Sequence, residues 1–311
     1  VSNKNYWNFI EWAAKRFAVT RDSTLLQLSP LYFDNAMFIF GLWLYGQCNC
    51  AVADLRVSSA WDRALGLIMD SNATHTYAAP SIFRLIKGFG VLNSEALPAL
   101  RHIAFAGEPM PTNICLELRE DLPEANLWHC YGPTETTIIC CARKIIDSDL
   151  EIFPYPPLSD PMDNCKFLFE KNVDDPNVYE LVVQGDCVAQ GYASITPISD
   201  SGFTKERNGV SSAFKTGDLF EFLSETSFVF KCRKDRQIKR NGIRIEVGGI
   251  EIKLASSNQV SEAYVTVTSD SFGKNHICAF IKLKPFTSIT YEIITSALFQ
   301  SEMPDEIYVC K

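Results

Sequence analysis

Apolar positions set the rhythm of the chain. Tyr6, Phe9, Ile10, Ala13 and Phe17 recur at helical steps, which predicts a helix over 6–17. The run 24–28 predicts a short buried strand, and 50–53 another. Between them, 30–40 is apolar almost throughout, with one carboxylate, Asp34, inside it. A helix over 59–69 follows, then a strand at 74–77 stopped before Pro80, and a helix over 81–87. Next come a strand running into a turn over 102–107, a helix over 111–119 and a strand at 127–129. Strands and helices alternating at this spacing predict a parallel α/β sheet, and ligands of such sheets gather beyond the carboxyl ends of strands. The regions of Tyr77, Ala106 and Tyr131 lie at such ends.

After about residue 145 the texture changes. Pro154, Pro156, Pro157 and Pro161 cluster, and short strand-like runs take over at 165–169, 179–183 and 228–231. These predict a β-rich subdomain with turns at 174–176 and 205–209. From Gln237 the pattern is strand, helix, strand, helix, with strands at 262–268 and 276–283 and a helix over 289–299, a small α+β domain.

Composition narrows the function classes. The 311 residues are 47% hydrophobic and 21% charged, enough for one large or two medium domains. A net charge of −8 and a pI near 5.1 give no support to a nucleic-acid or anionic-membrane partner. No apolar run approaches the roughly 20 residues of a membrane span. No signal peptide opens the chain, which starts on Val1 rather than Met, so an N-terminus upstream stays open. The 11 cysteines form no Cys-x-x-Cys pair, and the four histidines complete no zinc set. That usage predicts reduced thiols serving as small buried hydrophobes, in a cytoplasmic protein.

The chemistry concentrates in His-Cys-Tyr-Gly-Pro-Thr-Glu-Thr-Thr-Ile, residues 129–138. Tyr131 offers an aromatic face, Gly132-Pro133 a tight bend, Thr134 a hydroxyl and Glu135 a carboxylate of the kind Mg²⁺ prefers. Together they suit a nucleotide triphosphate. The same residues also read as a turn leaving a buried strand, with Tyr131 packed and Glu135 solvated. Asp34 carries a similar choice. Burying it without a partner costs roughly several kcal/mol, so it is solvated, paired or used, the plain alternative being a cap for a helix starting at Asn35.

Three further stretches combine with this one: 180–192, which ends in Gly191-Tyr192; Phe-Lys-Thr-Gly-Asp-Leu at 214–219; and Arg-Lys-Asp-Arg-Gln-Ile-Lys-Arg-Asn-Gly-Ile-Arg-Ile-Glu at 233–246. With Tyr-Gly-Pro-Thr-Glu, Ala106-Gly107-Glu108 and Phe33-Asp34, their order and spacing resemble the adenylate-forming superfamily. Within it, the chain is similar to amino-acid adenylation domains of nonribosomal peptide synthetases and to D-alanine–carrier protein ligases, along almost its whole length.

That resemblance implies ATP-dependent activation of an amino acid as aminoacyl-AMP, then transfer to the phosphopantetheine thiol of a carrier protein. Tyr131 would stack on adenine, and Thr134 and Glu135 would form the catalytic pair, contacting the α-phosphate and holding Mg²⁺. Asp218 would accept from both ribose hydroxyls, with Arg233 also facing the ribose. Asp235 would be the hinge between an adenylation core, 1–234, and a small mobile domain, 235–311, and Gly242 would border a pantetheine tunnel. Taken singly, Asp218 and Asp235 also read as turn caps, Arg233 as surface charge and Gly242 as a hairpin glycine.

For the substrate, Asp34 would hold the α-ammonium, walled by Asn35, Phe38, Tyr77, Ala104, Ala106, Cys130, Ile138 and Ile139. A mostly apolar lining with no charge opposite Asp34 implies a neutral amino acid, small or hydrophobic. Cys232 stands where the family has glycine, and Gly249 where it has glutamate. The family's phosphate loop would lie upstream of Val1 and its Asn-Gly-Lys lysine beyond Met303-Pro304, so both domains are expected to be incomplete; Lys311 is not assigned that role. Two rivals remain: a catalytically impaired homologue binding nucleotide or carrier protein, and an acyl- or aryl-CoA ligase, against which Asp34 argues.

Overall fold

Ser2 starts the first helix, α1 (Asn3–Arg16), through a reciprocal cap: its hydroxyl accepts the Asn5 N–H at 3.2 Å, and its own N–H donates to Asn5 Oδ1 at 2.8 Å. The computed structural model describes residues 1–53, 61–152, 154–159, 161–173, 175–193, 202–205, 212–240, 243–257, 259–270, 275–285 and 298–310. They divide into two compact units, Val1–Lys234 and Asp235–Lys311.

After α1 come β1 (Thr24–Gln27), α2 (Asp34–Gly46), β2 (Asn49–Val52), α3 (Trp61–Asp70), β3 (His75–Ala78), α4 (Pro80–Gly88), β4 (His102–Phe105), α5 (Thr112–Asp121), β5 (Asn126–Tyr131) and β6 (Cys141–Lys144). The alternation predicted from sequence is present, with ends shifted by up to three residues. The strands form one sheet in the order β2-β1-β3-β4-β5-β6. The first five are parallel; β6 pairs antiparallel with β5, which the sequence pattern did not predict. Its link, 132–140, is shorter than the roughly dozen residues a parallel crossover needs.

Side chains alternate across the pleat and sort the core into two. On one face Leu25, Tyr77, Ala104, Trp128, Cys130 and Ala142 pack with α1 and α2. On the other, Leu26, Ala78, Ile103, Phe105 and Leu127 pack with α3, α4 and α5. With α2 on one face and the later crossovers on the other, the strand order reverses between β1 and β3. In such sheets a ligand crevice opens outside the carboxyl ends of the two strands at the reversal. Asp34 follows β1, and Tyr77 lies one residue from the end of β3.

The β-rich part holds β7 (Cys165–Lys171), β8 (Val178–Gly185), β9 (Phe203–Lys205), β10 (Ser212–Ser224) and β11 (Ser227–Arg233), all antiparallel, in the order β11-β10-β8-β7 with β9 on β10. Leu181, Val183, Phe214, Phe220 and Phe228 join the core of the α1–α2 face.

The second unit has a core of its own, built on Ile245, Ile250, Val265, Ile277 and Ile281. A hairpin of β12 (Gln237–Arg240) and β13 (Ile243–Glu246) precedes α6 (Val247–Ala255), where a single strand was expected. A sheet of β14 (Val260–Ser269), β15 (Asn275–Leu283) and β16 (Glu306–Cys310) follows. Residues 286–297, most of the expected helix at 289–299, lie outside the described residues, as do 174 and 206–209 of the expected turns. Among the described residues no helix is long and apolar enough to cross a membrane. All 11 cysteines are free thiols; burial pushes Cys115 up to about 12 and raises Cys130 further, so these stay protonated and inert.

Two histidines make the core acid-sensitive. Trp128 Nε1, a donor only, gives its proton to His102 Nδ1 at 3.2 Å, so that nitrogen must be bare. Burial, then the neighbouring His75 and Lys144, lower His102 to about 4. Burial also brings His129 to about 4, against hydrogen bonds to Pro157 and Pro156 carbonyls. Their folded values lie below the unfolded value of about 6.5, so the unfolded chain binds more protons in that window. Stability should therefore fall as pH drops from about 6.5 toward 4. His102→Gln, whose amide oxygen can still accept from Trp128, should make the fall shallower. Urea midpoints measured from pH 7 to 5 on both proteins check this.

Candidate active site

β5 ends at Tyr131, and the chain then doubles back. A Cβ on Gly132 would lie 2.4 Å from Ile139 Cα and 2.7 Å from Cys140 N, so only glycine fits there. The Cys140 N–H closes the loop on the Tyr131 carbonyl at 2.8 Å. Pro133 leads into one 3₁₀ turn, Thr134–Thr136. Thr137 and Ile138 then take φ values of 64° and 72°, the left-handed region that β-branched residues avoid. The Ile139 N–H bonds to the Thr137 carbonyl across Ile138 at 2.9 Å, a strained γ-turn. Buried bonds offset the strain: Thr137 Oγ1 donates to the Cys187 carbonyl at 2.6 Å and Thr136 Oγ1 to that of Pro133 at 3.0 Å.

This loop aims three side chains. The Tyr131 hydroxyl donates to Asp218 Oδ2 at 2.6 Å, and Arg233 Nη1 donates to Asp218 Oδ1 at 2.6 Å. Asp218 and Arg233 are register partners across β10 and β11, which brings the ion pair together. Asp218 is buried in a strand, not a turn cap, and Arg233 is an ion-pair partner rather than a free surface charge. The Tyr131 ring stands edge-on to Phe220, centroids 5.3 Å apart. Burial, then the Asp218 charge, pushes its phenol well above the ordinary value, so it remains a donor. Each Asp218 oxygen keeps a lone pair for a further donor.

Glu135 is 6% exposed, which overturns the solvated alternative. Tyr192 donates its hydroxyl to Glu135 Oε1, and the Ala189 N–H bonds to the Glu135 carbonyl at 2.8 Å. Asn5 Nδ2 ties the same strap by bonding to the Asp186 and Val188 carbonyls at 2.8 and 3.1 Å. Tyr192 was visible in sequence as part of a motif but not as a partner of Glu135, 57 residues away. Among the described residues no three His, Cys, Asp or Glu side chains gather into a ready metal site. A lone carboxylate with a neighbouring hydroxyl instead fits Mg²⁺ that arrives with phosphate oxygens and water.

Asp34 does not cap a helix that starts at Asn35. It is itself the first residue of α2, and Phe33 occupies the cap without a side-chain bond. The Thr134 hydroxyl donates to Asp34 Oδ2 at 2.5 Å across 100 residues of sequence. Next to it, the Tyr77 hydroxyl donates to Asn35 Oδ1 at 3.0 Å, and the Tyr77 and Phe38 rings meet at 4.3 Å. Phe38, Tyr77, Ala104, Ala106, Cys130, Ile138 and Ile139 all lie buried in the same core. A concavity of about 450 Å³ lies elsewhere, lined by Ala51, Arg63, Gly66, Leu67, Asp70 and Ser71, and shares none of these residues. Asp235, the first residue of the second unit, is exposed and caps a turn by accepting the Gln237 N–H at 3.1 Å. Gly242 lies outside the described residues.

The family model described as AMP-binding enzyme matches residues 1–193. Bacitracin synthase 1 of Bacillus licheniformis is 29% identical over 276 residues, 85% of this chain and 5% of that protein. The L-proline–[L-prolyl-carrier protein] ligase of Streptomyces coelicolor is 29% identical over 272 residues, 84% of this chain and 49% of that protein. The Vibrio cholerae adenylation domain AlmE, solved in complex with glycyl-adenosine-5'-phosphate, shares the fold with a TM-score of 0.85 at 20% identity. That match covers 100% of this chain and 60% of that one, so the chain spans less than two thirds of each of these relatives.

Gly132→Ala should destabilise the first unit by about 1–3 kcal/mol, because backbone rather than a movable side chain blocks the new methyl. Gly66→Ala, in α3 with open space around it, should instead stabilise by about 0.5–1 kcal/mol. Urea unfolding of both variants checks the pair, and equal shifts would contradict the close approach.

Proposed function

The chain belongs to the AMP-binding enzyme family, and on that premise we propose that it activates a neutral α-amino acid with ATP and hands the aminoacyl group to a carrier-protein phosphopantetheine thiol. The supporting observation is that one loop reaches Asp218 through Tyr131 and Asp34 through Thr134. The residues read as nucleoside, phosphate and amino-group contacts thereby become neighbours.

In this reading the substrate carboxylate attacks the α-phosphorus, the bond to the bridging oxygen of pyrophosphate breaks, and aminoacyl-AMP results. Such a step needs positioning and charge neutralisation more than covalent help. Tyr131 packs against the adenine, and Asp218 offers its remaining lone pairs to the ribose hydroxyls, with Arg233 alongside. Thr134 donates to the α-phosphate. Glu135 would hold Mg²⁺, which when bound supplies positive charge at the phosphates. Asp34 orients the α-ammonium at the head of an apolar wall built from Phe38, Tyr77, Ala104 and Ala106. Asn35, Cys130, Ile138 and Ile139 complete the wall, and the lack of a charge within it suits a neutral side chain. For the second half-reaction, Asp235 is the hinge about which the 235–311 unit turns. The Tyr131–Asp218–Arg233 arrangement is what this chain's own side chains contribute to nucleotide recognition.

Two measurements on the full encoded protein test the assignment. Asp34→Ala should raise the amino-acid KM about 10- to 100-fold, the loss of a charge-assisted hydrogen bond of about 1.5–3 kcal/mol, without weakening ATP. Pyrophosphate exchange over a panel of neutral amino acids and their deamino analogues reads this directly. Equal activation of the deamino acids by the wild type would rule out an amino-acid substrate. Asp218→Ala should weaken AMP more than 2′-deoxy-AMP, because the deoxy form has already lost one hydroxyl partner. Calorimetry with both nucleotides decides it: equal losses would place the ribose elsewhere.

A further inference from the structure

The Thr134–Asp34 contact joins two groups that the proposed function assigns to different substrates. A hydroxyl has a single proton to donate. Here it goes to Asp34 Oδ2 at 2.5 Å, a length typical of a hydroxyl bonded to an ionised carboxylate. Thr134 is exposed and Asp34 half-buried, so ligands can reach both. Among the described residues no Lys, Arg or His forms an ion pair with Asp34. Its neighbour Asn35 already accepts from Tyr77. The Thr134 hydroxyl is therefore the side-chain donor on this carboxylate, and it is the donor that a phosphate oxygen would need.

We infer that the Thr134 proton passes between the two subsites, so that an α-ammonium at Asp34 strengthens binding of nucleotide phosphate at Thr134. The inference rests on the proposed function for the identity of the two ligands. Without an ammonium, a phosphate must draw the Thr134 hydrogen bond away from a carboxylate and then sit close to that carboxylate's bare charge. With the ammonium in place, its three N–H donors satisfy Asp34 and its charge offsets the repulsion. Both effects have the same sign. Linkage makes the coupling mutual: nucleotide must tighten the amino ligand by the same factor. The outcome is ordered commitment, in which ATP is held firmly only beside a substrate that carries an amino group. A carboxylic acid lacking that group would meet a site whose phosphate donor is still engaged.

The test is calorimetric and needs no turnover. AMP is titrated into the protein alone, then with alaninol, valinol, leucinol or phenylalaninol, which carry the ammonium but no carboxylate to react. The matching deamino alcohols serve as controls. For at least one amino alcohol the AMP Kd should fall about 5- to 10-fold, with no change from its deamino partner. Thr134→Ser should keep this ratio and Thr134→Val should reduce it toward one. If both ligands bind the wild type independently, the coupling is overturned while the proposed function stands. A Thr134→Val ratio equal to that of the wild type overturns the hydroxyl as its carrier. Should Thr134→Val fail to fold, the wild-type contrast between amino and deamino alcohols still decides. Failure of AMP and of every amino alcohol to bind the wild type would overturn the proposed function together with this inference.

Discussion

The absence of a side chain at residue 132 is the constraint on which the candidate site depends. Because the backbone of Ile139 and Cys140 occupies the space where a Cβ would be, the chain leaving β5 folds back on itself at once. It becomes an antiparallel neighbour instead of crossing over the sheet. Folding back exposes one short 3₁₀ turn at the strand's carboxyl end and forces Thr137 and Ile138 into unfavourable backbone. Residues in such conformations cost about 1–3 kcal/mol each and persist only where their surroundings hold them. Besides the Thr136–Pro133 bond inside the loop, the holding is done from outside, by the Cys187 carbonyl and the Ala189 N–H, on a strap that Asn5 anchors to α1. A first-turn asparagine of the first helix thus supports a carboxylate far along the chain.

Asp218 shows how a buried charge is accommodated by donors from the protein itself. Desolvating a carboxylate costs several kcal/mol, roughly, unless it is paired and hydrogen-bonded. Here a guanidinium and a phenol, from two different elements, each take one oxygen. The Thr216 hydroxyl receives the Asp218 N–H at 3.0 Å and passes its own proton to the Leu181 carbonyl at 2.8 Å. The geometry is fixed by the β10–β11 register, so a one-residue slip would turn Asp218 to the opposite face and strand Arg233.

Parallel strands of the first unit such as β1 and β4 were legible as short apolar runs bounded by turn residues, buried on both faces, and helices such as α1 by the spacing of the apolar positions they bury. β6 was not legible: Cys141–Lys144 has no alternation, and its direction comes from the tightness of the preceding loop. Asp34 was conspicuous as the one charge in an apolar stretch, but a cap and a site residue leave the same trace in sequence. What excludes the cap is its place as the first residue of α2, with Phe33 at the cap, while its contact with a substrate remains part of the proposal. Tyr192 and Glu135 sit in different motifs, and no local pattern records a bond between them. Arg233 read equally as surface charge or as ribose contact; its strand partner settles that it is an ion-pair residue, while the contact itself remains part of the proposal.

Phe38, Tyr77, Ala104, Ala106, Cys130, Ile138 and Ile139, read as the walls of a substrate pocket, are also interior residues of the core between the sheet and α1–α2. Selectivity and cohesion are then drawn from one volume. Enlarging Ala104 or trimming Phe38 to admit a different side chain also overfills or hollows the packing that holds α2 against the sheet, a change costing about 1–5 kcal/mol. New specificities in such a scaffold are expected to evolve as paired exchanges that conserve volume, one wall growing as its neighbour shrinks. Single substitutions would more often be lost to unfolding than to poor recognition.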